Sequence, residues 1–415
     1  MPINLHAATR RELFLASGAL FAWAYMPKIA LAEGRDPRLL VIVLRGALDG
    51  LAAVAPVGDP DWVALRGDKA LTLDGKTSAL PLDSFFALNP AMPNVHRLYK
   101  QGQAIFIHAA ATPYRERSHF DGQDVLESGV GKPGFTDTGW LNRALSAIEP
   151  TGRVDGGRKI FAAGPVTPLV VRGPAPVMSW TPPRLAPASD DTLMRLLDLY
   201  RHTDVDLARV LEERIGLAAI ARSGGMDANP GQNGAPRPAG VAQVRAYFAE
   251  TAGAAAKFMV RPDGPRIGAL AFDGWDTHAD EGVASGRLAA LLGALDGAIA
   301  VIETEMKSSW RETVVAVVTE FGRTARINGT DGTDHGTATI ALLAGGALKG
   351  GRVIANWPGL KAAQLHEGRD LKPTIDVRAV IKGVLADHLR INEQALATKV
   401  FPDSALLKPM AGLLV

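Results

Sequence analysis

Leu39-Leu40-Val41-Ile42-Val43-Leu44 is an unbroken apolar run of strand length, followed directly by Arg45-Gly46-Ala47-Leu48-Asp49-Gly50. A strand with one face in water alternates apolar and polar residues. An uninterrupted run instead marks a strand covered on both faces, as in a parallel sheet between helix layers. The pattern returns at 104–108, 267–272, 314–318 and 338–343. Helical spacing lies between the runs, clearest at 287–305, where Leu288, Leu291, Leu292, Leu295, Ile299 and Ile302 recur on one face. The alternation predicts an α/β fold, a three-layer α/β/α sandwich with a mostly parallel, doubly wound sheet.

The middle of the chain departs from this pattern. Residues 159–180 hold short β-like pieces broken by Gly164-Pro165 and Gly173-Pro174, and a helical stretch covers 191–221. Residues 223–240 are rich in Gly, Pro, Asn and Ala, as exposed loops are. Residues 150–260 are therefore expected to form an insertion or cap on an α/β domain of residues 33–415.

At the start of the chain, Arg10 and Arg11 precede an apolar run at 13–26, and Ala30-Leu31-Ala32 stands ahead of Glu33. A charged segment, an apolar segment and a small-residue cleavage site in that order read as a signal peptide of residues 1–32. Its paired arginines resemble the signal of the twin-arginine translocase. The expected destination is the periplasm or beyond. The apolar run falls short of the ~20 residues a membrane-spanning helix needs, so no integral span is expected. Without residues 1–32 the 45 basic and 43 acidic residues lose three and one, leaving a formally neutral chain. That balance argues against a nucleic-acid partner. Cysteine is absent, which excludes disulfides, thiolate metal sites and cysteine nucleophiles.

Ligands of a doubly wound sheet collect beyond the carboxyl ends of its strands. The residues there are Arg45 and Asp49 after the first run, Arg115, Arg117, Ser118 and His119 after the second, and Asp276 and His278 after the third. Glu320 and Arg323 follow the fourth, and Asp334 and His335 precede the fifth. One Asp-x-His pair alone is as readily a turn with a satisfied imidazole. Carboxylates and imidazoles converging from five loops form an oxygen and nitrogen donor set for a divalent metal, with zinc, manganese, magnesium and calcium all compatible. Ser118 is placed to cap a helix beginning at His119, where the unpaired N–H groups favour an anion. The arginine forks match phosphate and sulfate oxygens.

Six strings carry a further signal: 44–50, 117–124, 139–143, 275–278 (Trp-Asp-Thr-His), 319–324 and 332–336 (Gly-Thr-Asp-His-Gly). Together they resemble the bacterial family DUF1501, a domain of unknown function. The resemblance implies an alkaline phosphatase-like fold in the alkaline phosphatase and sulfatase superfamily. It implies further that Asp276, His278 and His335 hold one metal, that Asp49 helps to hold a second, and that Glu320 stands near another acidic ligand. Where the superfamily places an Asp-His pair, this chain has Glu320-Phe321. Counting ten residues back from Gly129, where the nucleophile of relatives stands, reaches His119, with Ser118 one step earlier. Two functions are compatible with these residues. The first is an exported metal-dependent hydrolase of phosphate or sulfate esters, using Ser118 or His119 with Arg45 and Arg323 on an anionic or carbohydrate-derived ester. The second is a non-catalytic periplasmic binding or assembly protein that keeps the fold.

Overall fold

Alternate residues of the first strand face two separate cores. Leu40, Ile42 and Leu44 pack with Val95, Leu98, Phe248 and Leu292 on one side of the sheet, while Leu39, Val41 and Val43 pack with Leu141, Val380 and Leu385 on the other. The computed structural model describes residues 35–75, 78–148, 159–164, 167–180, 190–223 and 240–415. The expected signal peptide, 1–32, lies outside these residues, as do 150–158, 165–166, 181–189 and 224–239 of the central region.

The described strands are β1 (Arg38–Arg45), β2 (Val54–Ala55), β3 (Leu80–Pro81), β4 (Ala87–Leu88), β5 (Ala104–Ala111), β6 (Ile160–Ala163), β7 (Val177–Trp180), β8 (Ile267–Asp273), β9 (Thr313–Thr319), β10 (Thr339–Ala344), β11 (Arg352–Ile354) and β12 (Ile375–Asp376). Nine of them form one sheet in the order β11-β5-β10-β9-β1-β8-β6-β7, with β12 also on β5; β2, β4 and β3 form a small second sheet. In the large sheet β10 runs antiparallel to both neighbours, and the other pairings are parallel. The five apolar runs are β1, β5, β8, β9 and β10. Helices Pro93–Lys100, Val241–Met259 and Arg287–Met306 cover one face, and Trp140–Ala147 and Val377–Leu389 the other. The result is a mostly parallel α/β sheet between two helix layers.

Within 150–260, β6, β7 and helix Val241–Met259 join this core, whereas helices Asp190–Thr203 and Val205–Ser223 pack on each other and contribute to neither core cluster. β6 pairs with β8 and carries β7 at the sheet edge. Phe248 of Val241–Met259 stacks on Phe272 of β8, ring centroids 3.8 Å apart. The β-like pieces expected at 159–180 are thus β6 and β7.

β5 carries a buried histidine that supports the fold. His108 Nε2 lies 2.9 Å from the Val54 carbonyl, the ring stacks on Phe86 and meets Trp357 edge-on, and Ala109 is the extra residue where the β5–β10 register shifts. Burial pushes the His108 imidazole down to about 4. The unfolded ring, near 6.5, takes a proton that the folded one refuses. This contribution is therefore complete above about pH 6.5 and is lost as the pH falls through 4, up to ~3 kcal/mol in all. Urea unfolding of wild type and His108→Gln between pH 7 and 4 should show the steeper acid loss in wild type; equal slopes would contradict it.

Candidate metal centre

β1, β5, β8 and β9 all end at one edge of the sheet, where antiparallel β10 begins. The loop 320–338 between β9 and β10 is itself laddered: Gly322 N–H donates to Thr337 O, Gly336 N–H to Gly322 O and Thr324 N–H to Asp334 O, and Arg323 bridges His335. The loop after β8 lies alongside it, with Thr333 N–H donating to Thr277 O at 3.1 Å and Asn328 Nδ2 to His278 O at 2.9 Å. Gly46, at φ +119°, closes the third side. A Cβ there would stand 2.5 Å from the Asp276 nitrogen, so only glycine lets the two loops touch. Its N–H donates to Glu320 Oε1 at 2.8 Å.

Three imidazoles and one carboxylate meet at this edge. His335 Nε2 lies 3.0 Å from His119 Nε2 and 3.0 Å from His278 Nε2. Asp276 Oδ1 is 3.0 Å from His278 Nε2 and 3.4 Å from His335 Nε2, and Asp276 Oδ2 is 3.5 Å from His119 Nε2. Donors about 2.0–2.1 Å from a tetrahedral ion stand about 3.3–3.4 Å from one another, close to this spacing. The donor atoms of His119, Asp276 and His335 all lie within 4.8 Å of one another, as a metal requires.

The other ring nitrogens fix the tautomers. His335 Nδ1 meets the Arg117 carbonyl at 2.9 Å, His119 Nδ1 meets Glu320 Oε1 at 2.9 Å, and His278 Nδ1 meets Asp334 Oδ1 at 3.2 Å. Each partner can only accept, so each Nδ1 carries the hydrogen, and in the neutral rings each Nε2 turns a lone pair inward. The hydrogen bond to Glu320 raises the His119 pKa against the opposing cost of burial. Burial lowers the His335 pKa and keeps that ring neutral. Burial raises Asp276, but the Arg323 fork, with Nη1 2.5 Å from Oδ1, outweighs it and holds the carboxylate ionised.

Several expected site residues stand elsewhere. Asp49 does not face the donors: its oxygens take Arg66 Nη1 at 2.6 Å and Nη2 at 3.0 Å, and cap the N–H groups of Leu51 and Ala52. Glu320 is buried behind His119, accepting from Gly46, His119, Gln123 and Thr319. Asp334 stands behind His278. Both orient imidazoles, since the loop paths turn their carboxylates to the Nδ1 side. Arg45 is paired with Glu127 at 2.6 Å, and Arg323 with Asp276 and Thr333, so neither presents a free fork to an anion. Ser118 is the N-cap residue of helix His119–Ser128 but makes no side-chain capping bond. His119, expected as an alternative nucleophile, stands at the first turn stacked on Phe321, with its Nε2 among the donor atoms.

Three supporting residues, Arg66, Glu281 and Asp370, escape a reading by strand ends, while Arg117, expected there as a fork for an anion, serves through its backbone carbonyl. Arg117, at φ +61°, points its carbonyl at His335, and Asp370, wholly buried, holds its guanidinium at 2.8–2.9 Å. Its positive φ is the only trace such a role leaves, and sequence does not show it.

Fold and site together define a doubly wound α/β protein with a three-histidine, one-aspartate donor cluster at the carboxyl edge of its sheet. The chain belongs to the family described as "Protein of unknown function (DUF1501)", which matches residues 107–401. No curated protein matches the sequence. Among solved structures it is similar to Ps i-CgsB in complex with k-i-k-neocarrahexaose, at 8% identity over 90% of this chain and 78% of that one, with a TM-score of 0.41. A sulfatase from Pseudoalteromonas sp. matches at 11% identity over 81% and 68%, TM-score 0.37. A protein in the alkaline phosphatase superfamily from Vibrio parahaemolyticus matches at 13% over 82% and 70%, TM-score 0.34. These likenesses are remote, and the chemistry of the site stands on its own side chains. Among the described residues, no helix is long and apolar enough to cross a membrane.

Proposed function

We propose that the chain is an exported metal-dependent hydrolase of phosphate or sulfate esters, with one metal held by His119, Asp276, His278 and His335. The observation that carries the reading is the set of three inward Nε2 lone pairs beside an ionised carboxylate, an arrangement that repels itself unless a cation lies within it. Imidazole-rich sets suit zinc ahead of manganese, magnesium or calcium. When bound, such an ion supplies positive charge to an ester oxygen.

The chain's own groups do the rest. Glu320 and Asp334 hold two rings in the donating tautomer. Arg323 keeps Asp276 ionised. Ser118, adjacent to His119 and free of a capping bond, is the candidate nucleophile; His119 has both ring nitrogens engaged and is a poor one. His278 and Asp334 are about half exposed, which leaves the centre open to a substrate from solvent. Residues 1–32 would direct export through the twin-arginine translocase.

One observation favours a non-catalytic binding or assembly role instead: Arg45 and Arg323 are both committed to carboxylates, and four protein donors leave less room for a substrate than three. Elemental analysis of purified mature protein, with a panel of phosphate and sulfate esters, separates the two. One zinc per chain and turnover abolished by Ser118→Ala is the expected result. Metal without turnover across the panel would favour binding, and a metal-free, inactive protein would overturn the hydrolase reading.

A further inference from the structure

We infer that Glu281 is a positioning residue that helps to set the distance between the two donor-bearing loops, one carrying Asp276 and His278, the other His335. The inference rests on the metal reading above. Glu281 is wholly buried, and so are the two threonines that it joins. Thr277, between Asp276 and His278, donates to Glu281 Oε1 at 2.8 Å. Thr333, two residues before His335, stands 3.3–3.4 Å from both Glu281 oxygens. The same Thr333 hydroxyl receives Arg323 Nε at 3.2 Å, and Arg323 Nη1 reaches Asp276. A closed ring therefore runs from Glu281 through Thr333, Arg323 and the 276–277 backbone to Thr277 and back.

Neither loop has regular secondary structure where the donors sit; beside the backbone bond from Thr333 to Thr277 and the Arg323 bridge, buried Glu281 is bonded to both loops and adds to what fixes their separation. Asp49, Arg66 and Arg323 are the charged groups that act on Glu281. Burial, with Asp49 adding to it, pushes the acid up to about 8 against the pull of the two arginines. At neutral pH the group thus holds a proton and can donate as well as accept. Glutamine reproduces that bonding pattern, whereas leucine removes it.

The test uses full-length mature protein, with zinc and cobalt(II) as probes. Glu281→Leu should weaken zinc binding by about 10–100-fold, as loss of the groups behind metal ligands does, and should alter the visible cobalt(II) spectrum. Glu281→Gln should restore both to within about threefold of wild type. In the metal-free proteins, exchange of the Thr333 amide, which donates to Thr277 O, should quicken in Glu281→Leu and not in Glu281→Gln. Unchanged Thr333 exchange in Glu281→Leu would overturn the brace even if no protein binds metal. Altered exchange with no metal bound by wild type would instead retain the brace and sink the metal reading. If Glu281→Leu does not fold, a Glu281→Gln protein with weakened zinc binding and faster exchange overturns the proposal in its place.

Discussion

His335→Ala should lose zinc at micromolar concentrations. A four-donor zinc site is worth roughly 10–16 kcal/mol, so one donor in four accounts for about 3–4 kcal/mol, on the order of a 100- to 1000-fold loss of affinity. His335 is the natural choice because its Nε2 is the atom within 3.0 Å of both other imidazoles. Titration against a chelator of known affinity measures the change, and near-UV circular dichroism of the metal-free variant checks that the fold survives. Glu320→Gln, which can still accept from His119 Nδ1, should cost far less. Equal zinc affinity in His335→Ala and wild type would exclude the proposed centre.

Arg66→Met should cost about 3–5 kcal/mol of stability, the usual consequence of leaving one member of a buried ion pair without the other. Arg66 and Asp49 are both fully buried, and Arg66 also donates to the Ala325 carbonyl at 2.7 Å. Adding Asp49→Asn should recover part of the loss, because asparagine still caps the helix and carries no charge. Urea unfolding reads both. The same variants decide whether Asp49 belongs to a second metal. Since a guanidinium takes its oxygens, Asp49→Asn alone should leave the metal content at one per chain. A fall from two to one would restore the second site that the family resemblance implies.

The parts of the fold that bury both faces were legible, because a run such as 39–44, too short for a helix and apolar at every position, fits a strand covered on both sides. β11 and β12, of three and two residues, carry no period of their own and exist only through their neighbours. Within the site, Asp276, His278 and His335 were legible because they border buried strands. The role of His119 was not: the ring direction depends on Phe321 beneath it and Glu320 beside it, both about 200 positions away in the chain. Arg66 stands at no strand end, and nothing in its neighbours announces a buried partner. Asp49 and Glu320 follow strands as metal ligands would, yet each is satisfied by protein hydrogen bonds. Position after a strand selects the neighbourhood, and the competition for lone pairs inside it decides the role.

The central place of β1 bears on when the site can exist at all. The strand emerges first, but its two partners in the sheet are β8 and β9, and Leu39 waits for Ile267 and Val314 before either edge is covered. His119 and His335 are 216 positions apart. A growing chain therefore carries a bare, strongly apolar ribbon through most of its synthesis, and the donors cannot gather until the final third has been made. Contacts so distant along the chain slow folding and lengthen the exposure of unpaired strand edges. If the proposed centre holds a metal, a nascent chain halted before the 320–338 loop, which carries His335, should be unable to capture the ion.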